Sequence, residues 1–489
     1  MRSQLWQGNM LKHELIYHQD SALLFECIVA QPWAMLLDSG KMLNPSTGKP
    51  GSQYGRYDII VAEPFIKLVT QGKMTTITQN GATRLSEEDP FLLLKSLLKQ
   101  YPAPKTDLPF TGGALGYFAY DLARRIEELP SIAQNDIDSP QMMLGIYDWA
   151  VVVDHREQRS YLVSHGMDTK THENWPVLCS KFSQALFYAP SGTSIGNGKL
   201  GQFEVKTPIT SNFSQPQYAQ AFDKIKTYIN EGDCYQVNLA QRFSAEVAGD
   251  SWQAYKKLRE ISPAPFMAFM NLPLNENELK NEHFQVLSNS PERFIQTNGN
   301  HVETRPIKGT RPRSSNPEED LAYSNGLLTS EKDRAENLMI VDLMRNDLSK
   351  CCEGVKVSKL FQLQSFANVH HLVSIVVAKL KPNKSAVDVL RNCFPGGSIT
   401  GAPKLRAMQI IEELEPHRRG VYCGAIGYIG FDGDMDTNIA IRTALVYKNQ
   451  INFYAGGGIV ADSELEKEYN ETLDKASNLI TVMQFFMRL

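Results

Sequence analysis

Strand-like and helix-like runs alternate along this chain without a repeating strand–helix–strand unit, and that irregular order restricts its fold more than any other feature. The first half reads as short strands: Ala34-Met35-Leu36-Leu37, which ends at Asp38-Ser39-Gly40, Tyr57 to Ala62, and Trp149 to Asp154. Gly112 to Phe118 is too glycine-rich for a plain strand and points to close backbone packing. Later, Gln217 to Asn230 sets Tyr218, Phe222, Ile225 and Ile229 on one helical face, and Glu231-Gly232-Asp233 ends it. Cys234 to Phe243 alternates as a strand does, and Thr329 to Asp347 reads as a helix. Lys404 to Leu414 reads as another helix, with Pro403 in its first turn. Val421 to Val460 reads as three antiparallel strands turned at Asp432-Gly433 and Lys448-Asn449-Gln450. Ser463 to Arg488 closes the chain as a helix with Leu465, Tyr469, Leu473 and Ala476 on its buried stripe. This order predicts an α+β fold. Turn and linker chemistry from Pro190 to Gly198 predicts a boundary, with a half at 1–190, a connecting segment at 191–215 and a second half at 216–489.

A chain of 489 residues buries a substantial core as one large domain or as two to three ordinary ones. Its net charge of −4 comes from mixed acids and bases, which argues against a nucleic acid or an anionic membrane as partner. No run of about 18 apolar residues appears, so no helix is expected to span a bilayer. Met1 to Trp6 leads into polar Lys12-His13-Glu14 and lacks the apolar core of a signal peptide. The seven cysteines are scattered, without a zinc-like spacing, and read as free thiols of a reducing cytoplasm.

Several segments carry candidate chemistry. In Arg305-Pro306-Ile307-Lys308-Gly309-Thr310-Arg311-Pro312-Arg313, two prolines stiffen the flanks of Lys308 and a glycine permits close approach. Three arginines surround it with positive charge, and like charge or burial favours the neutral amine of a nucleophile or base. An exposed basic loop fits the same residues. Asp333 with Glu336, and Glu468 with Glu471, are spaced three apart on two expected helices, so each pair shares a face. Opposed, they would offer hard oxygens to Mg²⁺, with Lys475 on the same face as Glu471 to hold a carboxylate or meet an anion. Ordinary surface acids are the other reading. Phe394 to Lys404 is a glycine-rich turn opening onto a helix, where free amides bind anions and Ser398, Thr400 and Lys404 add donors. It lacks the Walker order, and a capped connector would look alike. Glu292 follows a proline at a strand end, where burial would make it a general acid unless it pairs with Arg293. Gly456-Gly457-Gly458 lets a carboxylate approach backbone amides, with Arg442 as a bidentate partner; a tight bulge is the alternative.

Together these segments resemble the chorismate-utilising enzymes, the family of the anthranilate synthase and aminodeoxychorismate synthase large subunits. The likeness is dense from Gln217 to Lys475, through Pro306 to Pro312, Lys332 to Leu343, Arg345 to Leu348, Gly396 to Lys404, Gly424 to Tyr428, Gly456 to Asp462 and Glu471 to Lys475. It is looser in the first half, at Leu36 to Ser39 and Gly112 to Tyr117. The resemblance implies large antiparallel sheets packed as a sandwich with helices outside, with 216–489 as the chorismate-binding region. Lys308 separates members: anthranilate synthases usually carry alanine there, and enzymes that aminate chorismate at C4 carry lysine. Isochorismate-forming relatives have a lysine at the place of Gln236, and glutamine fits an enzyme that uses ammonia.

The resemblance also implies roles. Glu336 and Glu471 would hold Mg²⁺, with Asp333 and Glu468 behind them. Glu292 would protonate the departing C4 hydroxyl while Lys308 adds at C2, and ammonia would then expel Lys308 to give 4-amino-4-deoxychorismate. Thr400, Tyr428, Arg442 and the Gly457 and Gly458 amides would hold carboxylates, with His371 near the ring and Gln236 and Lys475 lining the site. No cysteine sits on a glycine-flanked elbow, so a separate glutaminase subunit is expected to supply ammonia in a heterodimer, for para-aminobenzoate and folate synthesis in the cytoplasm. In relatives, Ser39 and its neighbours line a tryptophan pocket; here tryptophan is structural, regulatory or absent. An anthranilate synthase component, or a non-catalytic subunit that binds chorismate or tryptophan, are the competing readings.

Overall fold

The computed structural model describes residues 10–40, 54–188, 201–273, 283–365 and 369–487. The linker run Pro190 to Gly198 and the segment Met1 to Trp6 lie outside the described residues. Among the described residues two antiparallel sheets, of 13 and 12 strands, dominate the chain. The centre of the first runs in the order Ala34–Asp38, Phe266–Pro273, His283–Ser290, Thr443–Tyr447, Gln450–Ile459, Gln236–Ala248. The second runs from Ile307–Pro312 through Val369–Leu380, His301–Thr304, Arg293–Asn298, Met435–Ile439 and Ala425–Gly430 to Gly113–Phe118 and Met142–Tyr147.

Alternation along each strand builds the layers. Met35, Ile59 and Val152 of the first sheet meet Leu115, Tyr117 and Met143 of the second in a core between them. Their neighbours Leu36, Ile60 and Val151 face outward against helical residues such as Phe25, Trp252 and Leu479. The outer face of the second sheet, at Phe118 and Leu144, packs on Phe91, Ile340, Met344 and Leu390. The expected sandwich with helices outside is therefore present. Because both faces are covered, Trp149–Asp154 is buried at every position and reads as a continuous apolar run.

The segments on either side of the linker interleave. Ala34–Asp38 pairs with Phe266–Pro273, and Gly113–Phe118 pairs with Ala425–Gly430, so residues from both sides share both sheets. The described part of the connecting segment forms two short strands, Glu204–Val205 and Thr210–Ser211, that pair with Gln236–Ala248.

One local expectation holds and one is corrected. Gly113–Phe118 is a buried strand but not a plain one, because Gly113 and Gly116 adopt φ +140° and +156°. Its glycines allow the close packing: a Cβ on Gly116 would lie 2.0 Å from the Met143 carbonyl oxygen. The region Val421 to Val460 holds four strands rather than three. Ala425–Gly430 and Met435–Ile439 pair in the second sheet, and Thr443–Tyr447 and Gln450–Ile459 pair in the first. The chain crosses between sheets through Ala440 to Arg442, where Arg442 adopts φ +51°. No glycine or proline marks that crossing, so the sequence pattern ran through it. The helices Gln215–Asn230, Glu331–Ser349, Lys404–Leu414 and Leu465–Phe485 fall close to their expected positions, with Pro403 at the N-cap rather than in the first turn.

Candidate active site

Lys308 lies on the strand Ile307–Pro312 at an edge of the second sheet, where the register against Val369–Leu380 slips at Gly309. Gly309 has φ +77°, and a Cβ there would stand 2.9 Å from Asp333 Cγ. Only glycine lets this bulge press against the helix Glu331–Ser349. The Lys308 ammonium donates to the Ser398 carbonyl oxygen at 3.4 Å. The cationic field expected from the three arginines is absent, because each has its own partner. Arg305 bonds Glu303 and Tyr54, Arg311 bonds Asp333, and Arg313 bonds Asp320. The charges acting on the Lys308 surroundings are instead the carboxylates Glu292, Glu336 and Glu471.

Glu292 is buried on the link between His283–Ser290 and Arg293–Asn298. Ser398 Oγ donates to its Oε1 at 2.9 Å. Burial pushes its carboxyl up to about 7, against the pull of the Ser398 hydrogen bond and the Lys308 charge. Arg293 is not its partner; that guanidinium forks onto Asp436 at 2.9 and 2.8 Å. Ser398 thus touches both Lys308, through its carbonyl, and Glu292, through its hydroxyl. The sequence offered both Ser398 and Thr400 as hydroxyl donors, and the resemblance gave the substrate contact to Thr400. The structure separates them, because the Thr400 hydroxyl is fully buried and donates to Gly396 O at 3.0 Å within its own turn. Lys404 is also turned away, into an ion pair with Asp347 and a bond to Cys393 O.

His371 and Arg442 act on each other electrostatically, and Arg442 and Glu292 do likewise, so these three lie together. His371 is buried and bonds Thr310 Oγ1 at 2.9 Å; burial, aided by Arg442, pushes its imidazole down to about 4, so it is neutral at pH 7. Burial also lowers the Arg442 guanidinium, with Glu292 the acid that acts on it. Gln236 is fully buried, and both polar atoms of its amide lack a partner among the described residues. It lies against Gly458, where a Cβ would come within 3.0 Å of its Cδ. Past Phe453 the strand Gln450–Ile459 pairs only with Gln236–Ala248; the Asn238 and Ala240 amides turn away to Thr400 O and Glu415, so Gly457 pairs with Leu239 while Gly456 and Gly458 face the open edge, where Lys475 takes the Gly456 carbonyl.

The acids of the two facing helices gather around a lysine. Lys332 Nζ stands 3.3 Å from Glu468 Oε1 and 3.8 Å from Glu336 Oε1. Burial opposes its charge, but Glu468 and Glu336 outweigh it and hold the ammonium above the usual lysine range. Glu468 Oε1 also accepts from Ser463 Oγ at 2.6 Å. Gly457 leaves a cradle beside these acids: a Cβ there would sit 3.0 Å from Glu468 Oε2 and 3.7 Å from Glu471 Oε1. Glu471 is half-exposed; partial desolvation raises its carboxyl, but the Lys475 ammonium at 2.6 Å outweighs this and lowers it, and Lys475 also bonds Gly456 O at 2.9 Å. Burial raises the Glu336 carboxyl, against Lys308 and Lys332. Asp333 turns to Arg311 at 2.8 Å instead of joining the other acids. As placed, no three of the described acid, imidazole or thiol groups form a ligand set. The hard carboxylate oxygens and the cradle at Gly457 nevertheless fit a divalent cation such as Mg²⁺.

One residue expected at this site belongs elsewhere, beside the residue expected at a tryptophan pocket. Tyr428 lines a separate cavity of about 450 Å³, together with Asp38, Tyr54, Arg56, Tyr57 and Phe266. Its ring lies against Phe110, 5.3 Å between centroids, and not beside Lys308. Ser39 sits behind that cavity, where its amide and hydroxyl each donate to Asp58 Oδ1 at 2.7 Å.

Sandwich and cleft define a class, and the chain belongs to it: the family described as chorismate binding enzyme matches residues 50–481. Within that class it is 45% identical to aminodeoxychorismate synthase component 1 of Escherichia coli, over 96% of this chain and 98% of that protein. It is 38% identical to aminodeoxychorismate synthase component 1 of Bacillus subtilis, over 86% of this chain and 88% of that protein. Among solved structures, anthranilate synthase component I from Streptococcus pneumoniae superposes with a TM-score of 0.75 at 31% identity, covering 88% of this chain and 93% of that one. The menaquinone-specific isochorismate synthase MenF of Escherichia coli shares the fold at 18% identity, with a TM-score of 0.69 over 97% of this chain and 94% of that one. Among the described residues no helix is long and apolar enough to cross a membrane.

Proposed function

We propose that this chain aminates chorismate at C4 to give 4-amino-4-deoxychorismate, a step toward para-aminobenzoate and folate. One observation carries the reading: an amine, Lys308, and a carboxyl raised to about 7, Glu292, meet at a single residue, Ser398. The acid proton of Glu292 passes to the departing C4 hydroxyl, leaving a carboxylate that keeps the Ser398 hydrogen bond. Lys308, once its ammonium has given a proton to water, bonds through Nζ to C2, the ring double bonds shift, the C4–O bond breaks and water leaves. Ammonia then bonds to C4, the double bonds shift back, the C2–Nζ bond breaks and the amine of Lys308 is restored. The Glu292 carboxylate takes the surplus proton of the incoming ammonia. Splitting one displacement into two easier ones is what a covalent route offers.

Arg442 and the open backbone edge at Gly458 bind substrate carboxylates, whereas the Gly457 backbone is paired with Leu239 and that glycine serves as the cradle beside Glu468 and Glu471; neutral His371 packs near the ring. Gln236 presents an uncharged amide where a lysine would activate water instead. Glu336 and Glu471, with Glu468 beside them, would hold Mg²⁺, which when bound would supply positive charge to grip the ring carboxylate and make the ring a better electrophile. Asp333 acts only indirectly, through Arg311. The relatives carry "component 1" in their names, which supports a partner, here a glutaminase that supplies ammonia in the cytoplasm. The second cavity, with its tyrosines, Phe266, Asp38 and Arg56, suits an aromatic amino acid such as tryptophan.

The test is incubation of the chain alone with chorismate, Mg²⁺ and ammonium. The expected product becomes para-aminobenzoate only after a lyase is added. Anthranilate fluorescence without lyase would overturn the reading. Mass spectrometry of protein denatured after chorismate treatment without ammonia is expected to show an adduct on Lys308, absent from Lys308→Ala.

A further inference from the structure

The carboxylates proposed to hold a metal already surround a cation of the protein's own. The Lys332 ammonium bridges the two helices that carry them, between Glu468 on one and Glu336 on the other. The lysine side chain is 47% exposed, against 3% for Glu468 and 14% for Glu336. The acids are therefore fixed in the wall, while the lysine is a long tether with a way out to water. Glu468 is divided in its bonding. Its Oε1 takes Ser463 and Lys332, and its Oε2 faces the cradle at Gly457 that Glu471 Oε1 also approaches.

Buried carboxylates without a counter-ion are costly, so in the metal-free protein the ammonium satisfies them. A divalent ion among the same oxygens would set two positive charges against the lysine's one at close range. Both cannot stay. An ammonium suits this duty better than a guanidinium, whose rigid fork would hold a carboxylate bidentately.

Resting on the metal reading above, we infer that Lys332 is a displaceable counter-ion, which holds Glu336 and Glu468 in the metal-free protein and swings into solvent when a divalent cation enters. Its presence weakens metal binding by the work of that displacement. It also keeps the two acids apart and oriented, so the cleft does not rearrange when the metal leaves. Lys332 is thus a positioning residue that sets metal affinity.

The experiment measures Mn²⁺ binding to the full metal-free chain, without chorismate, by the electron paramagnetic resonance signal of unbound Mn²⁺. Lys332→Met is expected to bind about tenfold tighter than the unmodified protein, the scale of one unit charge removed from a half-solvated site. Equal or weaker binding by Lys332→Met overturns the inference and leaves the metal reading standing. Absence of Mn²⁺ binding by both proteins overturns the metal reading, and this inference with it. Glu471→Gln is expected to lose binding, which locates the ion. A second measurement does not depend on the variant folding: acetylation of Lys332 by an amine reagent, read by peptide mass spectrometry, is expected to rise when Mn²⁺ is added. Unchanged labelling at saturating Mn²⁺ would also overturn the displacement.

Discussion

Replacing Glu292 by glutamine is expected to stabilise this protein at alkaline pH while disabling it. The carboxyl is buried and held at about 7 instead of the 4.5 of a free glutamate. Below 4.5 the group is protonated in both the folded and the unfolded chain, so its burial adds no ionisation cost. As pH rises from 4.5 to 7 the unfolded chain releases the proton and the folded chain keeps it, so folding loses stability across that window. Above 7 the cost is complete, and the interval from 4.5 to about 7 corresponds to about 3 kcal/mol. Glutamine carries no such proton, and its amide oxygen can still accept the Ser398 hydroxyl. Unfolding by denaturant at pH 5 and pH 8, in the presence of a chelator, is expected to show Glu292→Gln close to the parent at pH 5 and more stable by as much as about 3 kcal/mol at pH 8. Turnover with chorismate and ammonium is expected to fall by about 10² to 10⁴, the usual worth of a positioned acid. A variant whose stability relative to the parent is the same at both pH values would refute the burial argument. A variant that keeps its turnover would refute the acid role.

Gly457→Ala is expected to weaken Mn²⁺ binding without lowering the melting temperature, because its Cβ would stand 3.0 Å from a carboxylate oxygen and not from backbone; titration and thermal unfolding together check this. Arg419→Met is expected to destabilise by about 3–5 kcal/mol, since it strands the buried Glu415 that Arg419 bonds at 2.6 Å, and the double replacement of both partners is expected to cost much less. Gly116→Ala is expected to yield no soluble folded protein on expression, because its Cβ would fall 2.0 Å from the Met143 carbonyl oxygen between paired strands.

Period and turn chemistry were enough to place the helices Gln215–Asn230, Glu331–Ser349 and Lys404–Leu414 to within a few residues. These are local signals, set by neighbours three to four positions apart. The crossing at Ala440 to Arg442 was not legible for the same reason. A strand that leaves one sheet for another changes its partners and not its own alternation. Likewise the interleaving of early and late strands is a matter of pairing across hundreds of positions, which no window of sequence reports.

Residue order alone places this chain as an α+β sandwich of the chorismate binding class. It also picks out an amine at 308 and acids at 292, 336, 468 and 471 as the groups to watch. Their surroundings come from the folded arrangement. It neutralised Arg305, Arg311 and Arg313 with private partners and brought carboxylates toward Lys308 instead. It chose Ser398 over Thr400, sent Tyr428 to a different cavity, and set Lys332 among the acids. The physical reason is that residue identity states which charges and donors exist, whereas burial and distance decide whether each is felt, and both are properties of segments that meet only in the folded chain.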